Sequence, residues 1–211
     1  MTVENRSAFF DRLASLPASD EMDIQLAYTM AKFAHRSQVR KETGPDGEPL
    51  RYFEHVRRVA LVLIDDFGIT DKRMVITALL HDGIEDTRDL TPQLIEHTWG
   101  KEVASWVKTL SKVPVEGYLD RFRRCDDWQP YVIKAADRID NLRSLGDNPR
   151  FREKQLAETA EKYVPLFDRM VEVAPDHVLA DRIDVRTAVL DTLLAEQTRT
   201  IRKLISQANL P

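Results

Sequence analysis

Among the five histidines, His55 directly follows Glu54 and His81 is followed by Asp82, Glu85 and Asp86, both in segments of helical spacing. Residues four apart share one face of a helix. His81 would therefore stack on Glu85 and Asp82 on Asp86, which gathers three carboxylates and an imidazole within two turns, directly after the apolar run Met74 to Leu80. Burying such a cluster with no cation leaves like charges uncompensated, at high cost. The chemistry it could do is that of a bound cation with an acid or base beside it. A solvated, acidic helix end with a capping role accounts for the same residues, and this stretch alone does not separate the two. A second group lies further on, where Asp137, Asn141 and Ser144 follow one another at i, i+4 and i+7. They form one polar stripe on a helix whose other face is apolar. An ordinary wet face would explain the stripe, although Lys134, Arg138 and Arg143 suit a wet face better than Asn and Ser do.

The elements that must carry these residues read as helices nearly throughout, with no internal repeat and no low-complexity segment. Phe9, Phe10, Leu13 and Leu16 mark a first helix that stops at Pro17. A second opens after Ser19 with Leu26, Ala27, Met30, Ala31 and Ala34 on one stripe. Gly44, Pro45, Gly47 and Pro49 make Lys41 to Leu50 the densest turn signal, a loop or short hairpin. A third helix carries Phe53, Val56, Val59, Ala60, Leu63 and Phe67 and closes at Gly68, and a fourth runs from Asp71 to His81 and Asp82. Thr91 and Pro92 read as the N-cap and first position of a short helix ending at Gly100. Val103, Trp106, Val107 and Leu110 form another, stopped by Pro114, and Asp127 begins one through Ile133, Ala136, Ile139 and Leu142 to Gly146. Two longer amphipathic helices, about 150–173 and 185–207, complete an all-α fold.

Composition narrows the function classes. Lys and Arg number 31 against 35 Asp and Glu, a net charge of −4 that argues against nucleic acid as a partner. The longest apolar run, Val59 to Ile64, is far short of the roughly 20 residues of a membrane span. The single Cys125 excludes a disulfide framework or a cysteine-based zinc site and points to a reducing, cytoplasmic setting. It has no basic neighbours to mark it as a nucleophile. His35, His97 and His177 read as structural, and Trp99, Trp106 and Trp128 as core. Only seven glycines are present, so few sharp turns are expected.

Four ordered motifs resemble a known family. FAHRSQVRK (Phe33 to Lys41), RYFEHVRRVA (Arg51 to Ala60), ALLHDGIEDT (Ala78 to Thr87) and IKAADRIDNLRSL (Ile133 to Leu145) follow the order and spacing of the hydrolase domain of RelA/SpoT alarmone enzymes, a branch of the HD phosphohydrolases. TWGKEVASWVKTLSK (Thr98 to Lys112) and ETAEKYVPLFDRM (Glu158 to Met170) are weaker matches, and the resemblance covers about 22–172. It implies an all-α HD-domain bundle around a single divalent metal ion, normally Mn2+, and removal of the 3′-pyrophosphate from guanosine tetra- or pentaphosphate, or from a related purine alarmone. Carried over by position, the metal ligands are His55, His81, Asp82 and Asp137, and the catalytic acidic pair is Glu85 and Asp86. Arg40, Lys41, Asn141 and Ser144 match residues that hold the nucleotide, with Arg40 against the base.

Two imidazoles and two carboxylates suit a borderline or hard divalent ion without singling out manganese. Two anionic ligands also acidify a bound water less than an all-His zinc site does, so a separate base is needed, and Glu85 is the best placed. Lys41 and Lys112 would offset phosphate charge. The chain departs from the family pattern at Val56, which replaces the usual proline, at Ser144, which replaces threonine, and at Asp140. Asp140 takes the place of a His or Tyr and brings a negative charge near the phosphate region unless it points outward. Nothing in 1–211 resembles the synthetase half of the bifunctional enzymes. The expected organisation is one HD-type hydrolase domain with helices of 173–211 packed on it, as in the stand-alone metazoan branch of the family, which also takes a phosphate from NADPH. The expected partner is a small purine nucleotide bearing a 3′-diphosphate. An NADPH or other nucleotide phosphatase is the alternative within the class, and a non-catalytic metal- or nucleotide-binding helical module is the alternative outside it.

Overall fold

The computed structural model describes residues 6–44, 47–146, 148–175 and 185–208. Helices α1 (Arg6–Asp11) and α2 (Ala18–Ala34) precede a two-stranded antiparallel hairpin, β1 (Val39–Thr43) and β2 (Pro49–Arg51), in which Val39 faces Arg51. The glycine- and proline-rich segment is thus the short hairpin, and it leads directly into α3 (Tyr52–Leu61). A π-helical turn, Val62–Asp66, extends α3 to Gly68, whose φ of 66° ends it.

Helix α4 (Lys72–Leu80) begins at Asp71, whose side chain accepts from the N–H groups of Arg73 and Met74. It ends at Leu80, one residue before the expected His81 and Asp82, which lie in a turn that leads to the single-turn α5 (Gly83–Asp86). The continuous helix expected from spacing is broken here. Gly83 explains the sharp course, because a β-carbon on it would lie 2.5 Å from Leu90 Cδ1. Helix α6 (Pro92–Trp99) has Thr91 as its N-cap, bonded to Leu94 N–H, and closes at Gly100, as the sequence predicts. Then follow α7 (Lys101–Leu110) and α8 (Tyr118–Arg123), a short helix that periodicity did not reveal.

Helix α9 (Gln129–Arg143) is the axis of the molecule and packs against α3, α4, α7, α11 and α12. Every residue from Pro130 to Asp140 is buried, so an ordinary wet face does not account for the polar residues of this stretch. Lys134 and Arg138, the residues best suited to water, are among those enclosed. The long helix expected over 150–173 is interrupted. Helix α10 (Pro149–Glu158) passes through a second π-helical turn, Thr159–Tyr163, into α11 (Val164–Val173). Pro165 has no N–H to continue the regular ladder, and the wider turn before it absorbs the mismatch. Helix α12 (Val185–Ala208) lies along α9 and α11.

The core joins Phe9, Leu13 and Ile24 of the N-terminal helices to Val59, Leu79, Val107, Ile133 and Phe167, and a smaller cluster of Leu142, Leu145, Leu156 and Leu193 closes the far end of α9. Trp106 is buried, while Trp99 and Trp128 pack partly buried against the core. No helix among the described residues is long and apolar enough to cross a membrane.

Candidate metal centre

Three elements converge on one buried point. Helix α3 supplies His55, the turn after α4 supplies His81 and Asp82, and α9 supplies Asp137, all less than a tenth exposed. One ligand-type atom each from His55, His81 and Asp82 lie within 4.8 Å of one another. Asp82 Oδ2 is 3.0 Å from His81 Nε2 and 3.6 Å from His55 Nε2, and Asp137 Oδ1 is 3.3 Å from His55 Nε2 and 3.9 Å from His81 Nε2. Ligands about 2.1 Å from a common ion stand about 3.0–3.4 Å apart at octahedral or tetrahedral angles, so these separations are close to those of a coordination shell.

The hydrogen bonds around the four side chains aim them inward. His81 Nδ1 donates to the Ala78 carbonyl at 2.8 Å, and its Nε2 is buried with no hydrogen-bond partner. An unpaired nitrogen lone pair enclosed among carboxylates is costly unless a cation meets it. His55 Nδ1 is bonded to Asp140 Oδ2 at 2.7 Å, which likewise turns Nε2 to the centre. Tyr52 donates to Asp82 Oδ2 at 2.6 Å, and Asp137 accepts from Asn141 Nδ2 at 2.6 Å and from Lys134 Nζ at 2.8 Å. Glu54, the acid that drew attention to His55, turns away to Arg57 and Arg51.

The charges tell the same story. Burial opposes the imidazolium of His55, but bonds to Asp137, Asp140 and Asp82 outweigh it and raise its pKa to about 10. Burial would raise the carboxyls of Asp82 and Asp137, yet both stay well below their ordinary value. His81 and His55 hold down the first, Lys134 and the same two imidazoles the second. The cluster therefore has a strong pull for positive charge, which the raised pKa of His55 reflects. The residues fit a divalent cation.

A polar recess of about 180 Å³ opens over the centre, lined by Arg40, Tyr52, His55, Asp82, Lys112, Asp137, Arg138, Asn141, Gln155, Glu158 and Tyr163. Arg40 Nη2 reaches Asn141 Oδ1 at 3.1 Å and Ser144 Oγ at 3.3 Å, so three of the four expected nucleotide-binding residues form one group. The side chain of the fourth, Lys41, lies outside the described residues, as does His177. Glu85 joins the recess wall through Lys112: its Oε2 accepts from the Lys112 backbone N–H at 2.9 Å, and its Oε1 is 3.5 Å from Nζ. Asp86 is an exposed residue and is not among those lining the recess, although its carboxyl is close enough to Asp82 and Tyr52 to be affected by both. Its pKa is raised, first by lost solvation and then by Asp82. His35 is buried, bonds Gln38 at 2.7 Å and stacks on Tyr52, a packing role. Burial pushes the Cys125 thiol pKa up, against a nucleophilic role.

Sequence reasoning did not single out Tyr52, Gln155, Glu158 or Tyr163 as part of the recess. Tyr52 stands three residues before His55, the one local signal available, whereas Gln155, Glu158 and Tyr163 reach the recess only through the path of α10 and its π-helical turn. Asp140 points neither outward nor to the recess; it is turned to His55 and Arg58.

A helical bundle built around paired histidines and aspartates, with a His-Asp doublet in a helix-terminal turn, defines a class. The chain belongs to the HD-domain family, which matches residues 27–170. It is similar, at 35% identity over 158 residues, to guanosine-3′,5′-bis(diphosphate) 3′-pyrophosphohydrolase of Aquifex aeolicus, covering 70% of this chain and 21% of that protein. With the bifunctional (p)ppGpp synthase/hydrolase SpoT of Escherichia coli it shares 31% identity over 214 aligned residues, covering 91% of this chain and 29% of the other. It thus spans less than a third of the length of these relatives. In fold it resembles a solved structure described as a metazoan ortholog of SpoT that hydrolyzes ppGpp. The TM-score there is 0.57 at 24% identity, covering 80% of this chain and 98% of the other.

Proposed function

We propose that this chain is a metal-dependent hydrolase that removes the 3′-pyrophosphate of guanosine tetra- or pentaphosphate, or of a closely related purine alarmone, releasing pyrophosphate and GDP or GTP. The observation that carries the reading is the inward-facing set of two Nε2 atoms and two carboxylates beneath a recess with Arg40, Lys112 and Arg138 in its wall. In this reading the HD-type hydrolase unit includes the C-terminal helix α12, which packs on α9. His55, His81, Asp82 and Asp137 hold the ion, Mn2+ by family resemblance. When bound, such an ion supplies Lewis acidity to a phosphoryl oxygen and makes a water more acidic.

The chain's own residues do the rest. Glu85 takes a proton from the attacking water, with Asp86 helping to orient it, and the backbone N–H and ammonium of Lys112 hold the Glu85 carboxylate in place. Water oxygen bonds to the phosphorus next to the 3′ oxygen, the bond between that phosphorus and the 3′ oxygen breaks, and the 3′ oxygen leaves with a proton. Lys112 and Arg138 offset phosphate charge, while Arg40, held by Asn141 and Ser144, offers its guanidinium plane to the purine. Lys41 completes the nucleotide contacts.

The test is to incubate the manganese-loaded protein with guanosine tetraphosphate, its adenine analogue and NADPH and to identify the products. GDP and pyrophosphate from the first are expected. NADH and phosphate from NADPH alone would move the reading to a nucleotide phosphatase, and no turnover of any of the three would overturn it in favour of a binding module.

A further inference from the structure

Asp140 lies on α9 three residues after Asp137 and is 3% exposed. Its two oxygens are divided between two partners. Oδ2 meets His55 Nδ1 at 2.7 Å, and Oδ1 accepts from Arg58 Nε at 2.6 Å, with Arg58 Nη2 also 3.2 Å from Oδ2. We propose that Asp140 is a positioning residue for the metal centre: it keeps the proton of His55 on Nδ1, orients the ring and leaves Nε2 to the ion, while Arg58 balances the charge this requires.

Three observations support the assignment. A ligand imidazole whose outer nitrogen donates to a carboxylate is oriented and made a stronger donor, and the contact here is short and fully enclosed. His81 is served differently, by the Ala78 carbonyl, so one of the two imidazoles is held by the backbone and the other by an exchangeable side chain. Finally, His55 on α3 is set by the same helix that supplies Asp137, so α9 delivers one ligand and orients another from adjacent turns. The pairing with Arg58 also explains how a carboxylate can occupy this position without adding uncompensated negative charge beside a phosphate site.

A purely architectural role, an Asp140–Arg58 pair tying α9 to α3, makes a different prediction. In that case Asp140→Asn lowers thermal stability but leaves metal affinity alone. The positioning role predicts that Asp140→Asn weakens Mn2+ binding by about ten- to a hundredfold, measured by competition with a chelator on the whole chain. Arg58→Gln, which keeps the carboxylate on His55, should stay within about threefold of the wild type. In the Zn2+-loaded wild type, used as a diamagnetic probe, the His55 Nδ1 proton should resonate far downfield and move upfield in Asp140→Asn. An Asp140→Asn affinity within about threefold of the wild type overturns the inference. So does a wild-type spectrum in which His55 carries no Nδ1 proton, and this test stands even if the variant does not fold. The inference rests on the metal reading but not on the nucleotide. If the wild type binds no divalent ion, both fall; if it binds one and Asp140→Asn binds it equally well, only this inference falls.

Discussion

Lys134 offers the most direct test of how the centre is balanced. Its ammonium is 1% exposed, donates to Asp137 Oδ2 at 2.8 Å, and faces the rings of Tyr163 and Tyr118 at 5.3 and 6.0 Å. Burial works against the ammonium, but Asp137 and the two tyrosines hold its pKa well above the ordinary value. Lys134→Met keeps the length and apolar contacts of the side chain and removes the charge. Breaking one side of a buried pair costs about 3–5 kcal/mol. For a chain of this size each kcal/mol moves the melting temperature by about 2–4 °C, so the drop in the presence of EDTA should be about 6–20 °C. The sign of the metal effect then follows. Without Lys134, Asp137 has lost its fixed counter-charge, and a divalent ion has more charge to offset, so saturating Mn2+ should raise the melting temperature more in the variant than in the wild type. Thermal unfolding of both proteins with EDTA and with Mn2+ provides the four values. An equal drop under both conditions would refute the reasoning, because Lys134 would then contribute packing and not electrostatic balance.

Glu85→Gln should bind Mn2+ as the wild type does, since Glu85 is not a ligand in this reading, and lose about a hundred- to ten-thousandfold in kcat on guanosine tetraphosphate; full activity would remove Glu85 from the mechanism. The His55 pKa, raised from 6.5 to about 10, contributes stability to the metal-free protein that is complete below the lower value and is lost as pH rises through the upper one. Metal uptake between those values should release a proton and tighten with rising pH, and calorimetry at about pH 8 in buffers of different ionisation enthalpy should count that proton. No proton release would contradict the charge state assigned to His55. Gly83→Ala forces a β-carbon against Leu90 and should cost about 1–3 kcal/mol in chemical denaturation, with Leu90→Ala recovering part of the loss. An unchanged midpoint would mean that the turn carrying Asp82 tolerates what its packing forbids.

The helices were legible because their apolar spacing, caps and stops are local signals: Thr91 with Pro92, Asp71 before α4, and Gly68 and Gly100 at helix ends all act where the sequence points. The break after Leu80 was not, since Gly83 is required by contact with Leu90 and not by its own neighbours in sequence. The same limit applies to α9. Lys134 and Arg138 suit a wet face by residue type and Asp140 reads as a charge near the phosphate region, and only their partners (Asp137, Gln155 and the Tyr163 ring, and His55 with Arg58) show how they are buried. Of the candidate site, the four ligand-type residues and the Arg40, Asn141 and Ser144 group were picked out by motif order, and the structure brings each set together. The wall from α10 was invisible, because a π-helical turn and the docking of a distant helix leave no periodic trace.

The enclosure of α9 on all sides sets how this protein can be altered. A helix with a free face tolerates substitution there, whereas on α9 the buried charged side chains Lys134, Asp137, Arg138 and Asp140 are each matched to specific partners, so changes must be compensated. Variation in ligand preference has an easier route through Glu158, a half-buried residue of α10 that lines the recess, whereas Gln155 on the same helix accepts from Arg138 and is tied to α9. Libraries confined to Glu158 and Arg40 should yield folded proteins with altered selectivity far more often than libraries that include α9.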